Sequence, residues 1–164
     1  MSVDAYSTHI GPLAWAVMMA PGDSELVEMG GGWYSTPLLH GIAEATGQEV
    51  FTVESDQWFS DALADYWPAP WHHYITDPEY AIPVSNAGLV FIDAGTIHRA
   101  PIVLAARDSG AELVVVHDIE PGGDYPGMWD ALDSFKYRRD FTVYREHTAV
   151  VSDFVDVNQP PRGY

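Results

Sequence analysis

The chain has 164 residues, 47% hydrophobic and 19% charged, a core-forming composition long enough for one domain and short for two. Lysine and arginine total 7 against 24 aspartates and glutamates, for a net charge of −17. That balance argues against a nucleic-acid partner held mainly by phosphate neutralisation. There is no cysteine, which excludes disulfides, a thiolate zinc site and a cysteine nucleophile.

The longest apolar stretches, 12–20 and 88–92, fall far short of the roughly 20 residues that span a bilayer, so no membrane partner is expected. No basic region precedes the first of them, so no secretory signal is expected either, and the default is a soluble, cytoplasmic protein. Charge is unevenly placed. Residues 1–98 contain no lysine or arginine, and Lys136, Arg138, Arg139, Arg145 and Arg162 crowd the end of the chain. Two readings stay open: a solvated acidic surface suited to a salt-rich environment, or a basic end section that meets an anionic part of a substrate.

Residues 1–20 read as a lead-in to a single domain over 1–164, with its core at 24–155. A short helix is expected at 13–19, a turn at Pro21-Gly22-Asp23, and a buried strand at 24–29 that runs into Gly30-Gly31-Gly32. After Pro37, apolar residues recur at helical spacing and Gly47 is a C-terminal stop. Residues 49–54 form a β-branched strand, and Ser55 can cap a helix over 56–66 that turns Trp58, Phe59, Ala62 and Leu63 inward. A third strand covers 71–75, and 77–87 is a proline-interrupted loop.

The apolar runs 88–93 and 112–118 end in polar residues, with a helix near 98–108 between them. A glycine- and proline-rich loop at 120–127 leads to a short helix at 128–134, and 136–145 with 148–154 suggest a hairpin. Alternating strands and helices imply crossover connections, hence an α/β, Rossmann-like three-layer sandwich, mostly parallel with an antiparallel pair at the C-terminal end. Continuous apolar strands fit a sheet covered on both faces. Its ligands belong beyond the carboxyl ends of the strands.

Three constellations lie there. Glycines in Glu28-Met29-Gly30-Gly31-Gly32-Trp33-Tyr34-Ser35-Thr36 let the backbone bend sharply and approach a ligand, and the helix start beyond them offers free N–H groups. Glu54 ends the next strand, 22 positions after Gly32, where a carboxylate can accept both ribose hydroxyls. Asp93 and His117-Asp118 end neighbouring strands and form a reasonable ligand set for a hard ion such as Mg²⁺. His72 and His73 must face opposite sides of their strand, and His9, His40 and His147 lack any supporting partner pattern.

The pattern E-x-G-x-G-x-x-S-T followed by a strand ending in Glu resembles motif I and the ribose-binding acid of class I S-adenosylmethionine-dependent methyltransferases, over roughly residues 24–155. The resemblance implies that Glu28, Gly30, Gly31 and Gly32 approach the methionine part of S-adenosylmethionine, and that Ser35 or Thr36 bonds its carboxylate. It implies that Glu54 holds the ribose, that Ser55 or Trp58 lies near the adenine with Asp77 a looser candidate for its amino group, and that Asp93 faces the cofactor. Trp58 also reads as an ordinary core aromatic of a helix face.

The strand-end acids are similar to those of the catechol-type and sugar O-methyltransferases, which implies metal ligation by Asp93, His117 and Asp118. It also implies catalytic work by Asp93, His117 and His98, although His98 follows Asp93 at a spacing that departs from that family. The expected reaction is O-methylation of a small hydroxylated molecule. The short chain leaves little material to cover a substrate, which also fits a non-catalytic nucleotide-binding module or a homo-oligomer. A nicotinamide-dependent oxidoreductase would want G-x-G-x-x-G instead.

Overall fold

The computed structural model describes residues 7–95, 99–120, 125–143 and 146–160. In chain order the elements are α1 (Ile10–Val17), β1 (Leu26–Met29), α2 (Ser35–Thr46), β2 (Val50–Glu54), α3 (Gln57–Tyr66) and β3 (His72–Thr76). There follow β4 (Leu89–Ile92), α4 (Arg99–Asp108), β5 (Leu113–His117), α5 (Met128–Asp133), β6 (Tyr137–Phe141) and β7 (Thr148–Ser152). They build the expected α/β architecture around a 7-stranded sheet of order β3-β2-β1-β4-β5-β7-β6. The five strands β1 to β5 run parallel, and β7 lies antiparallel between β5 and β6.

The sheet has two buried faces, which is why its central strands carry no polar alternation. Leu26, Val50, Leu89, Phe91, Leu113, Val115 and Val150 point to the side that α1 and α2 cover with Leu13, Ala16, Leu39 and Ala43. Val27, Met29, Val53, Val90, Ile92, Val114, Val116 and Val151 point to the other side, under Ile102, Val103 and Ala106 of α4 and Ala131 and Leu132 of α5. Gly47 terminates α2 in the left-handed conformation at φ 77°, as its position suggested. The cap of α3 differs from expectation. Asp56 takes that place, its carboxylate accepting from Phe59 N at 3.0 Å, because the Ser55 hydroxyl is drawn to Glu54 instead.

Chain order reverses at β1, which sends its first crossover toward β2 and leaves β4 on its other side. Diverging crossovers leave a crevice at the carboxyl ends of such a strand pair. Met29 is in register with both Val53 and Ile92, so Gly30, Glu54 and Asp93 emerge side by side at that edge. Gly30 N donates to Val53 O at 2.8 Å and Asp93 N to Met29 O at 2.9 Å, carrying the pairing one residue past the strands. Among the described residues, no helix is long and apolar enough to cross a membrane.

Candidate functional site

The glycine bend is held from both sides. A Cβ on Gly31 would stand 2.4 Å from Leu63 Cδ1, and one on Gly32 2.9 Å from Ser35 Oγ. Glu54 points at the bend: its Oε2 accepts from Gly31 N at 3.1 Å. Its Oε1 accepts from Ser55 N at 2.7 Å, Asp56 N at 3.1 Å and the Ser55 hydroxyl at 3.1 Å, while Tyr80 Oη donates to Ser55 Oγ at 3.0 Å. One oxygen is thereby clamped by the start of α3. The other carries a single backbone partner beside the crevice.

Glu28 lies beneath the bend and has no exposed surface. Its Oε2 accepts from the hydroxyls of Thr36 and Thr52, both at 2.8 Å, and Thr36 Oγ1 in turn accepts from Gly32 N at 3.0 Å. Glu28 and Thr36 therefore brace the bend from below. Both are buried, and among the described residues Glu28 Oε1 has no hydrogen-bond partner. The chain of contacts continues from Thr52 to His72 Nε2 at 2.9 Å, and from His72 Nδ1 to Tyr74 and His40 at 3.1 Å each. His40 thus has a partner that the sequence did not suggest. His73, on the opposite side of β3, stacks on Phe51.

Burial pushes the Glu28 carboxyl up to about 7, against the pull of its hydroxyl partners, and pushes His72 down to about 3. The folded state keeps a proton on Glu28 between its ordinary value of 4.5 and about 7, where the unfolded chain releases it. Stability from Glu28 is therefore fully present below 4.5 and is lost as pH rises through 7. His72 has the opposite sign, losing stability as pH falls from 6.5 toward 3. Glu28→Gln should accordingly gain on the natural protein by on the order of 3 kcal/mol between pH 4.5 and 7.5, measured by urea unfolding at each pH. A difference that stays flat across that range would refute the assignment.

At the end of β4 and β5 the structure adds a residue absent from the sequence reading. Arg99, 3% exposed, donates from Nε to Ala94 O at 2.6 Å and from Nη1 to His117 O at 2.8 Å. Its Nη2 reaches Asp93 Oδ1 at 3.2 Å, both terminal nitrogens lie 3.5 Å from Asp118 Oδ2, and the guanidinium stacks 4.3 Å over the Tyr125 ring. Burial pushes Asp93 up to about 7, with Arg99 opposing and Asp118 adding to the rise. His117 is held down to about 4 by burial and by Arg99, and its Nδ1 lies 3.2 Å from Thr148 Oγ1.

The set Asp93, His117 and Asp118 does not fit Mg²⁺. Arg99 lies between the two carboxylates, bonding Asp93 Oδ1 and standing 3.5 Å from Asp118 Oδ2, so it keeps them from sharing one ion, and the third donor is a nitrogen where Mg²⁺ favours oxygen. His98 lies outside the described residues. Asp77 accepts from Glu79 N and Ala81 N at 2.9 Å each, one bond to each oxygen, which fixes its carboxylate on its own loop. Ser55 is an exposed buttress of Glu54. Trp58 is 77% exposed, so it is neither the expected core aromatic nor tucked beneath its helix.

The basic end section sits on β6, at the sheet's outer edge. There Arg138 pairs with Asp133 and Asp140, and Arg139 stacks on Trp15 and Phe141, away from the crevice. Arg145 and Arg162 lie outside the described residues.

A cavity of about 560 Å³ opens at the crevice, lined by His9, Gly31, Gly32, Trp33, Tyr34, Phe59 and Asp93. Trp33 packs edge-on against Phe59 and Tyr66 at 5.5 and 5.3 Å, making one wall aromatic. His9, just before α1, stands against Phe91 at 5.0 Å and His117 at 4.7 Å, although the sequence offered it no partner. Arg99 had a signal in being the first basic residue of the chain, six positions after Asp93.

No protein-family model and no curated protein matches the sequence. The fold is that of S-adenosylmethionine-dependent methyltransferases. Cofactor-bound Rv0187 from MTB superposes with a TM-score of 0.68 at 16% identity, over 94% of this chain and 83% of its own. The O-methyltransferase from Bacillus cereus in complex with SAH gives 0.65 at 14%, over 92% and 82%. The RNA methyltransferase from Salinibacter ruber in complex with S-adenosyl-L-homocysteine gives 0.58 at 12%, over 99% and 100%.

Proposed function

We propose that this chain transfers a methyl group from S-adenosylmethionine to an oxygen of a small hydroxylated molecule. The observation that carries the reading is the Glu54 carboxylate aimed at the Gly31 amide across the mouth of the crevice. A ribose entering there meets an acceptor with free lone pairs, on a side chain already oriented by the start of α3. The glycine bend gives the methionine part close access to backbone, and Trp33 and Phe59 offer an apolar wall to the rest of the bound molecules.

S-adenosylmethionine supplies an activated methyl group on sulfur. What the chain adds is position and a place for the proton. Asp93 lines the cavity and, with its carboxyl raised to about 7, takes up a proton readily near neutral pH, as a general base for a substrate hydroxyl requires. His117 is neutral at that pH and sits beside it. Holding acceptor oxygen and methyl in line inside a cavity of this size is the main catalytic contribution expected of the fold. The acidic composition favours a small acceptor over a nucleic acid.

Calorimetry with S-adenosylhomocysteine tests the reading. The natural protein should bind it and ignore NAD. Glu54→Gln, which keeps the shape but loses the charge, should weaken binding by about one to two orders of magnitude, the worth of a charged hydrogen-bond pair. Unchanged affinity in Glu54→Gln, or no binding by the natural protein, would overturn it.

A further inference from the structure

We propose that His9, Asp93 and His117 form a binding site for one divalent transition-metal ion of the zinc or iron class, on the wall of the cavity. Each residue offers a ligand atom, and these atoms all lie within 4.8 Å of one another. The separation about a metal with 2.0–2.1 Å bonds is roughly 3.4 Å, so small side-chain rotations close the set. His9 is the sharpest pointer. It is 3% exposed, it lines the cavity, and neither ring nitrogen has a hydrogen-bond partner among the described residues. Buried polar atoms without partners are rare and cost about 1–3 kcal/mol each, a cost that coordination removes at one of the two ring nitrogens.

The other two ligands are already oriented. Thr148 Oγ1 lies 3.2 Å from His117 Nδ1 and can take the ring proton there, and Nε2 lies 3.3 Å from Asp118 Oδ1, a contact that an ion at Nε2 would replace. Arg99 holds Asp93 by Oδ1 and leaves Oδ2 unengaged by it. In this arrangement Arg99 and Thr148 act as the hydrogen-bonding shell behind the ligands, the usual support of a histidine and carboxylate metal site.

Two imidazoles and one carboxylate select zinc, iron, cobalt or nickel over Mg²⁺ or Ca²⁺, which take oxygen ligands. Asp118, which the Mg²⁺ set required, is not needed. Three protein ligands leave a coordination position open, and the cavity borders the site at His9 and Asp93, so a ligand oxygen or water can complete the sphere. With an ion bound Asp93 is a ligand and not the proton acceptor of the proposed reaction, and the site stands on its own geometry, whether or not the cavity takes S-adenosylmethionine.

The test uses the full chain, stripped with a chelator and titrated with Zn²⁺ by calorimetry and with Co²⁺ by visible absorption. One ion should bind per chain, with the intense d–d bands of a low-coordinate nitrogen-ligated cobalt and no competition from millimolar Mg²⁺. His9→Phe should weaken binding by about a hundredfold. His40→Asn, in the other histidine pair, should leave it unchanged. The site is overturned if the natural protein takes up neither ion at one equivalent, or if His9→Phe, folded by circular dichroism, binds as tightly as the natural protein. S-adenosylhomocysteine titrated in parallel reports separately on the cofactor reading.

Discussion

Arg99→Met should lose about 3–5 kcal/mol of stability at pH 7, the usual consequence of removing one partner from a buried ion pair. The guanidinium ties two strand ends together through the carbonyls of Ala94 and His117, and it offsets the carboxylates of Asp93 and Asp118. Methionine fills much of the volume but leaves two carbonyls without donors and two carboxyls with no cation between them, so that Asp93 keeps its proton. For a chain of this size the melting temperature should fall by about 10 °C. Asp93 should also become harder to ionise, since Arg99 is the group holding its carboxyl down against burial.

The deficit should therefore shrink at pH 5, where the folded protein holds its proton on Asp93. Arg99→Lys keeps the charge without the planar fork that reaches four acceptors at once, and should fall between the two. Urea unfolding of the three proteins at pH 5 and 7 checks this. A methionine variant within 1 kcal/mol of the natural protein at both values would show that the ion pairs carry nothing.

Gly30→Ala should be about as damaging, and for a different reason. A Cβ there would stand 2.7 Å from Ala94 Cα, Ala94 N and Asp93 C, all backbone atoms of the segment following β4. The φ of 94° is also one that L residues avoid. Steric overlap of this kind costs about 1–3 kcal/mol, and the strained backbone about as much again, so a loss of about 3–5 kcal/mol is expected. The variant can relieve the overlap only by parting β1 from β4, which opens the crevice, so S-adenosylhomocysteine binding should fall with stability. Gly41, exposed in α2 with nothing within 4 Å of its Cβ position, is the matched control. Alanine there should be neutral or stabilise by up to about 1 kcal/mol. Equal effects at the two positions, read from melting temperatures, would contradict the close-approach argument.

Much of this molecule is legible in its sequence. The strand-then-helix alternation, the bend at Gly30-Gly31-Gly32 and the carboxylate of Glu54 are all features of short segments. The hydrophobic run of a doubly covered strand, a chain reversal and a strand-end acid each leave a local mark. Even the meeting of Glu54 with Gly31 could be expected, since parallel neighbours joined by one crossover bring their carboxyl ends together.

Local spacing could not tell which side chains the fold would turn away or bring in from afar. Trp58 sits on a helix whose inward face is set by Leu63 against the glycine bend, so it turns outward to 77% exposure. Asp77 satisfies the amides of its own loop, and Glu28 is committed to two threonines from neighbouring elements.

His9 meets Asp93 and His117 across more than 80 residues of chain, and Arg99 reaches Asp118 only because β4 and β5 lie side by side. The one-dimensional pattern thus determined the sheet, the bend and its opposing acid, because backbone conformation and hydrophobic period are short-range properties. The partners of buried charges and imidazoles were decided by tertiary packing, because such groups are satisfied by whatever the neighbouring strand end presents, and that neighbour has no signature in the local sequence.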